Sequence, residues 1–166
     1  SRYRMCSLAE EFNETEDYNM HFNKMQQIHD AVSSYKAENL KVDFPDMIEQ
    51  YLMQSPPRLQ LLFIDEAQDL TPLQWEMVSH MRSNADRVVY AGDDDQAIHR
   101  WTGVNVNKFM KVTTNVEILS QSYRLPKRIF DLSQQIVKRI HTRFEKEFYP
   151  TDEEGVVDYH LTLDSV

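Results

Sequence analysis

Glycine is scarce, with three residues in 166. They form neither a G-x-x-x-x-G-K-[ST] loop nor a G-x-G-x-x-G turn, so both common glycine-built phosphate cradles are absent from this stretch. Cysteine is scarcer still. Cys6 stands alone, which excludes an intramolecular disulfide and predicts a reducing, cytoplasmic setting. Bases are outnumbered, 18 Lys and Arg against 27 Asp and Glu, for a net charge of −9. That balance argues against a generic basic nucleic-acid footprint. It leaves room for a local basic groove, or for binding through aromatic stacking. No apolar run approaches membrane-span length, and the first residues lack the apolar core of a secretion signal, so no membrane partner is expected. The length suits one domain, or one domain and a piece of another, with enough chain to bury a core.

What the chain does have is acids at the ends of apolar runs. In "LLFIDEAQD", Leu61 to Ile64 lead into Asp65-Glu66, with Asp69 close behind. In "RVVYAGDDDQ", Val88 to Ala91 end in Gly92 and three aspartates, Asp93 to Asp95. Short continuous apolar runs predict strands covered on both faces, as in a parallel sheet. The strands are expected at Leu61–Ile64, Arg87–Ala91 and Val116–Leu119, with a further candidate at Gly155–Leu161. Between them lie helical patterns. One starts at Pro72, capped by Thr71 or Asp69, with Leu73, Met77, Val78 and Met81 in phase. Another opens at Pro126, with Ile129, Leu132, Ile136 and Ile140 in phase. Alternation of strand and helix from Leu61 onward is an α/β pattern. Upstream, Asp17–Ala37 reads as a helix with a stripe of Met25, Ile28, Val32 and Tyr35. Phe44–Met53 reads as a second, capped by Asp43 with Pro45 in its first turn. The first 58 residues thus form a helical unit or insertion.

Ligands of an open α/β sheet bind at the carboxyl ends of its strands. If the first two strands are neighbours, Asp65-Glu66 and Asp93–Asp95 share one edge. Crowded carboxylates repel each other unless a cation is present. All-oxygen ligands suit Mg²⁺ rather than zinc, with one or two carboxylates beside substrate phosphates. In this Walker-B logic Asp65 holds the metal and Glu66 orients or deprotonates the attacking water. Gln68 and Gln96, neutral amides behind the acids, are candidates to contact a phosphate or a water. An Asp-Glu pair that stands alone is more often a solvated strand end; the second acidic strand end, with Gln68 and Gln96, shifts the balance toward a site. The six histidines show no metal-ligand spacing.

Three stretches in order carry a resemblance. "IDEAQD" (Ile64–Asp69) resembles motif II of superfamily 1 helicases, "GDDDQAIHRWTG" (Gly92–Gly103) resembles motif III of the UvrD/Rep branch, and "LSQSYRLPKRI" (Leu119–Ile129) is similar to motif IV. The resemblance implies a partial RecA-like, P-loop NTPase sheet with flanking helices, preceded by a helical segment. It implies an insertion-like region at 1–58, the later part of a first motor domain at 59–118 and the start of a second at 119–166. It also implies roles. Asp65 would coordinate the Mg²⁺ of MgATP, Glu66 would be the catalytic carboxylate and Gln96 would sense the γ-phosphate. Arg124 would act as an arginine finger across the cleft between motor domains, Tyr123 would stack on adenine, and Trp101 would stack on a base of single-stranded DNA. His99 stands where the family usually has tyrosine. The phosphate loop expected upstream of motif II is missing here, which implies a middle piece of an ATP-dependent DNA helicase, inactive by itself without that loop and partnered in the parent by the remaining helicase domains. Two other readings stay open. One is a metal-dependent phosphodiesterase or nuclease using Asp65, Glu66, Asp93 and Asp95; the other is a non-catalytic, helicase-derived interaction domain.

Overall fold

A computed structural model describes residues 2–14, 21–98, 103–112 and 114–159. The chain divides into two compact units, Ser1–Val106 and Asn107–Val166.

The first unit opens with three helices, α1 (Leu8–Glu14), α2 (Phe22–Glu38) and α3 (Phe44–Leu52). The composition alone does not signal α1. It meets α2 through an edge-on contact of Phe12 with Phe22, centroids 5.4 Å apart. α3 forms where expected. Asp43 accepts from the Asp46 backbone N–H at 3.0 Å while the Asp46 carboxylate accepts from that of Asp43 at 2.8 Å. This reciprocal box satisfies two of the donors every helix start leaves open. The α2 stripe differs from expectation. Ile28, Val32 and Tyr35 are about half exposed, and α2 contributes no buried residue. Ion pairs hold it instead. Lys36 Nζ reaches Asp43 at 2.8 Å and Asp46 at 2.7 Å, and Arg2 engages Asp46 at 2.7 Å and Glu49 at 2.6 Å.

β1 (Leu62–Ile64) and β2 (Val88–Tyr90) pair in parallel, Leu62 opposite Val88 and Ile64 opposite Tyr90. The pairing begins earlier, at a bridge between Leu59 and Ala85. The connection is α4 (Pro72–Arg82), a crossover helix as parallel strands require. Thr71 caps it reciprocally with Gln74. Leu73, Trp75 and Val78 are buried, and the Trp75 ring lies 6.0 Å from that of Tyr90. Trp75 thus joins a core stripe that spacing assigns to Met77 and Met81, both only half-buried. The other face of β1 is open, with Phe63 67% exposed. Among the described residues the expected cover on both faces is therefore not met. α3 packs on α4, with Tyr51 edge-on to His80 at 5.5 Å. The N-terminal segment docks on the same helix, the Leu73 N–H donating to Tyr3 O at 3.1 Å.

The second unit holds most of α5 (Val106–Met110) and all of α6 (Lys127–Val137). The strand expected at Val116–Leu119 is not formed. Val116, Ile118 and Leu119 are exposed, and no described chain pairs with them. An apolar run becomes a strand only when another backbone receives its hydrogen bonds. Residues 155–159 form no strand either, and 160–161 lie outside the described residues. A single parallel bridge, Gln121 to Tyr149, is the β-pairing described here. α6 follows Pro126 as expected. Its first N–H groups, of Lys127 and Arg128, donate to the carbonyls of Glu153 and Glu154 at 2.9 and 3.0 Å. Gly155 makes that approach possible. Its φ is +68°, and a Cβ there would sit 2.6 Å from the Pro126 ring, so any side chain would clash with a rigid neighbour.

Among the described residues no helix is long and apolar enough to cross a membrane.

Candidate nucleotide-site edge

Because β1 and β2 run parallel, their carboxyl ends leave the sheet on one edge. The β1 exit is Asp65-Glu66, followed by a 3-10 turn, Ala67–Asp69. The β2 exit is Ala91-Gly92-Asp93, followed by a second such turn, Asp94–Gln96. The acids of the two motifs therefore share an edge, as their positions after apolar runs predict.

The exits are tied by backbone. The Ala91 N–H donates to Ile64 O at 2.7 Å, and the Ala67 N–H donates to Ala91 O at 2.9 Å. Between those bonds Glu66 takes a left-handed conformation, φ +49° and ψ +40°. For a residue with a Cβ this costs on the order of 1–3 kcal/mol and persists only where surroundings impose it. Ala67, fully buried, leaves no space for the turn to relax.

Side chains extend the tie. Gln68 is 2% exposed. Its Nε2 donates to Glu66 Oε2 at 2.8 Å, and its Oε1 accepts from the Asp93 N–H at 3.0 Å. Asp93 in turn accepts from the Asp95 N–H at 3.1 Å through Oδ1 and from Gln96 Nε2 at 2.7 Å through Oδ2. A hydrogen-bonded line thus runs Glu66–Gln68–Asp93–Gln96. Spacing suggests both glutamines as contacts for a phosphate or a water. Gln68 differs, because its amide is turned inward and both ends are occupied by protein. Gln96 is exposed.

Asp65 is exposed, and its Oδ1 accepts from the Glu66 N–H at 3.0 Å; no protein donor to its second oxygen is found among the described residues. Asp93, Asp94 and Asp95 each bring a carboxylate oxygen within 4.8 Å of the others. Neither Asp65 nor Glu66 belongs to that group, so the four-acid set of a two-metal nuclease, Asp65, Glu66, Asp93 and Asp95, is not gathered as one cluster. Asp94 is buried.

In the second unit Tyr123 is 86% exposed. Arg124 is exposed, and its backbone N–H donates to Ser122 Oγ at 3.3 Å; no protein partner of its guanidinium is found among the described residues. The same hydroxyl receives the Leu125 N–H at 3.0 Å, fixing the bend on which both side chains stand. Trp101, the candidate DNA-stacking residue, lies outside the described residues, as does His99.

Residues 3–117 match the family model described as the UvrD/REP helicase N-terminal domain. The chain is 26% identical over 149 residues to the ATP-dependent DNA helicase PcrA of Bacillus subtilis (strain 168), covering 79% of this chain and 20% of that protein. It is 31% identical over 133 residues to the putative ATP-dependent DNA helicase YjcD of the same organism, covering 69% and 17%. A probable DNA helicase II homolog of Mycoplasma capricolum is 30% identical over 99 residues, covering 57% and 14%. The chain spans a fifth or less of these relatives' length.

Proposed function

The chain belongs to the UvrD/REP helicase N-terminal domain family, and we propose that it is the portion of an ATP-dependent DNA helicase that supplies the hydrolytic edge of the nucleotide site. Residues 1–58 are the helical insertion region, 59–118 the later part of the first motor domain and 119–166 the start of the second. In the whole enzyme, ATP hydrolysis moves the protein along single-stranded DNA.

Glu66 is the carboxylate that orients or deprotonates the attacking water. Asp65 offers an exposed carboxylate with an oxygen open to a ligand, and hard oxygen donors of this kind suit magnesium. Magnesium held there would supply charge neutralisation to the phosphates of ATP. Gln96 answers to the γ-phosphate. Arg124 supplies a planar cation for charge spread over phosphate oxygens, Tyr123 supplies a ring for the adenine, and Trp101 supplies a face for a DNA base. The observation that carries this reading is the shared edge of β1 and β2, with Glu66 held by Gln68 beside the turn of Asp93 and Gln96.

The test is Glu66→Gln in the full-length helicase carrying this segment. The swap keeps size and hydrogen bonding and removes the base. Nucleotide binding should be retained and steady-state hydrolysis lost; hydrolysis at near the parental rate removes Glu66 from the role.

A further inference from the structure

We propose that Gln68 is a positioning residue that aims the Glu66 carboxylate and couples it to the Asp93–Gln96 turn. The inference rests on Glu66 being the group that acts on water.

Three observations combine. Gln68 is almost fully buried, and a buried amide left unsatisfied is costly. Both its ends are satisfied, and by the two different strand exits: donor to Glu66 Oε2 at 2.8 Å and, at a longer 3.4 Å, to Asp69 Oδ2, and acceptor from the Asp93 N–H at 3.0 Å. Glu66 itself sits in a left-handed conformation that needs outside support. Only an amide of this length performs both bonds. Glutamate has no donor once ionised, methionine is at best a weak acceptor, and asparagine is one methylene short.

The consequence for Glu66 is directional. With Oε2 held by Gln68, the oxygen left for a water is Oε1, which has no protein partner among the described residues. The consequence for the second exit is coupling. Asp93 is held through its N–H by Gln68 and holds Gln96 through its carboxylate at 2.7 Å. A shift of Gln96 on meeting or losing a phosphate is therefore passed along one unbroken line of hydrogen bonds to the carboxylate that acts on water.

Gln68→Met tests this in the full-length helicase. It keeps length and approximate volume while removing the donor to Glu66 and the amide acceptor of the Asp93 N–H. The kcat for ATP hydrolysis should fall about tenfold or more, while KM for ATP stays within about threefold of the parental value. Parental kcat in Gln68→Met overturns the proposal, as does a loss confined to KM.

A double-mutant cycle of Glu66→Ala and Gln68→Met, read by thermal stability, separates aim from folding. If the two side chains are a bonded unit, the losses of the single variants should not add in the double variant. Additive losses mean that they are not bonded, and the proposal falls. Glu66→Gln alone reports separately on the underlying reading. If that variant hydrolyses ATP, the assignment of Glu66 fails. If it is inactive and Gln68→Met hydrolyses ATP at the parental rate, only the positioning role fails.

Discussion

At the scale of single residues, exposure separates the groups proposed to face a ligand from the one proposed to support them. Tyr123 and Arg124 project into solvent, while Gln68 is enclosed and engaged at both ends. Two substitutions in the full-length enzyme probe separable jobs. Arg124→Ala should slow ATP hydrolysis by on the order of 10³–10⁵, the contribution of arginine fingers. It should leave DNA affinity without nucleotide nearly unchanged. Trp101→Ala should weaken single-stranded DNA binding by roughly 1–3 kcal/mol, the loss of one base stack, and leave nucleotide affinity intact. Titrations with a fluorescent oligonucleotide and, separately, with a nucleotide analogue read both. Normal DNA binding by Trp101→Ala makes that tryptophan a packing residue. Parental hydrolysis by Arg124→Ala removes the finger and with it the motif IV assignment.

At the scale of elements, the α2–α3 pair depends on charge rather than on a buried stripe. Hydrogen bonding from Lys36, and then from the Asp43 backbone N–H, holds the Asp46 carboxyl well below the usual carboxylate range, with Arg2 adding to the effect. A depressed carboxylate pKa contributes stability that is complete above the unfolded value, about 4. It is lost as pH falls through the folded value. Helicity of this region should therefore hold through neutral pH and decline on acidification below about pH 4. In Lys36→Met, whose aliphatic chain packs without the charge, the decline should begin at higher pH. Far-UV circular dichroism across an acid titration measures the difference. It should shrink in high salt, because these side chains are partly exposed and screened. Identical acid transitions in parent and variant would remove Lys36 from the account.

At the scale of the whole molecule, no described residue covers the Phe63 face of β1, and the chain covers 20% of the PcrA relative. No glycine loop stands in these 166 residues to hold the phosphates. The isolated segment, given magnesium, ATP and single-stranded DNA, should show no turnover above background in a phosphate-release assay. Robust hydrolysis that disappears on Glu66→Gln would show a complete phosphate site within these residues.

What the sequence determined by itself is whatever depends on neighbours a few positions away. The caps at Asp43 and Thr71, the prolines in the first turns they head and the start of α6 after Pro126 are local bonds and local sterics, and spacing reveals them. The acids of Asp65-Glu66 and Asp93–Asp95 at one edge are legible for a related reason: two apolar runs joined by a crossover helix must lie parallel. Tertiary structure decided what depends on distant partners. Val116–Leu119 is apolar at Val116, Ile118 and Leu119 but meets no described backbone to bond, so it is no strand. The α2 stripe has the spacing of a core face yet stays half exposed, because no described element covers it. Trp75 is core through Tyr90, and Leu73 is anchored by Tyr3, a residue at the far end of the unit. Gln68 looks, in the sequence, like a second polar group aimed at a ligand. Only pairing β1 with β2 brings the Asp93 N–H within 3.0 Å of its amide, and that one contact turns it inward.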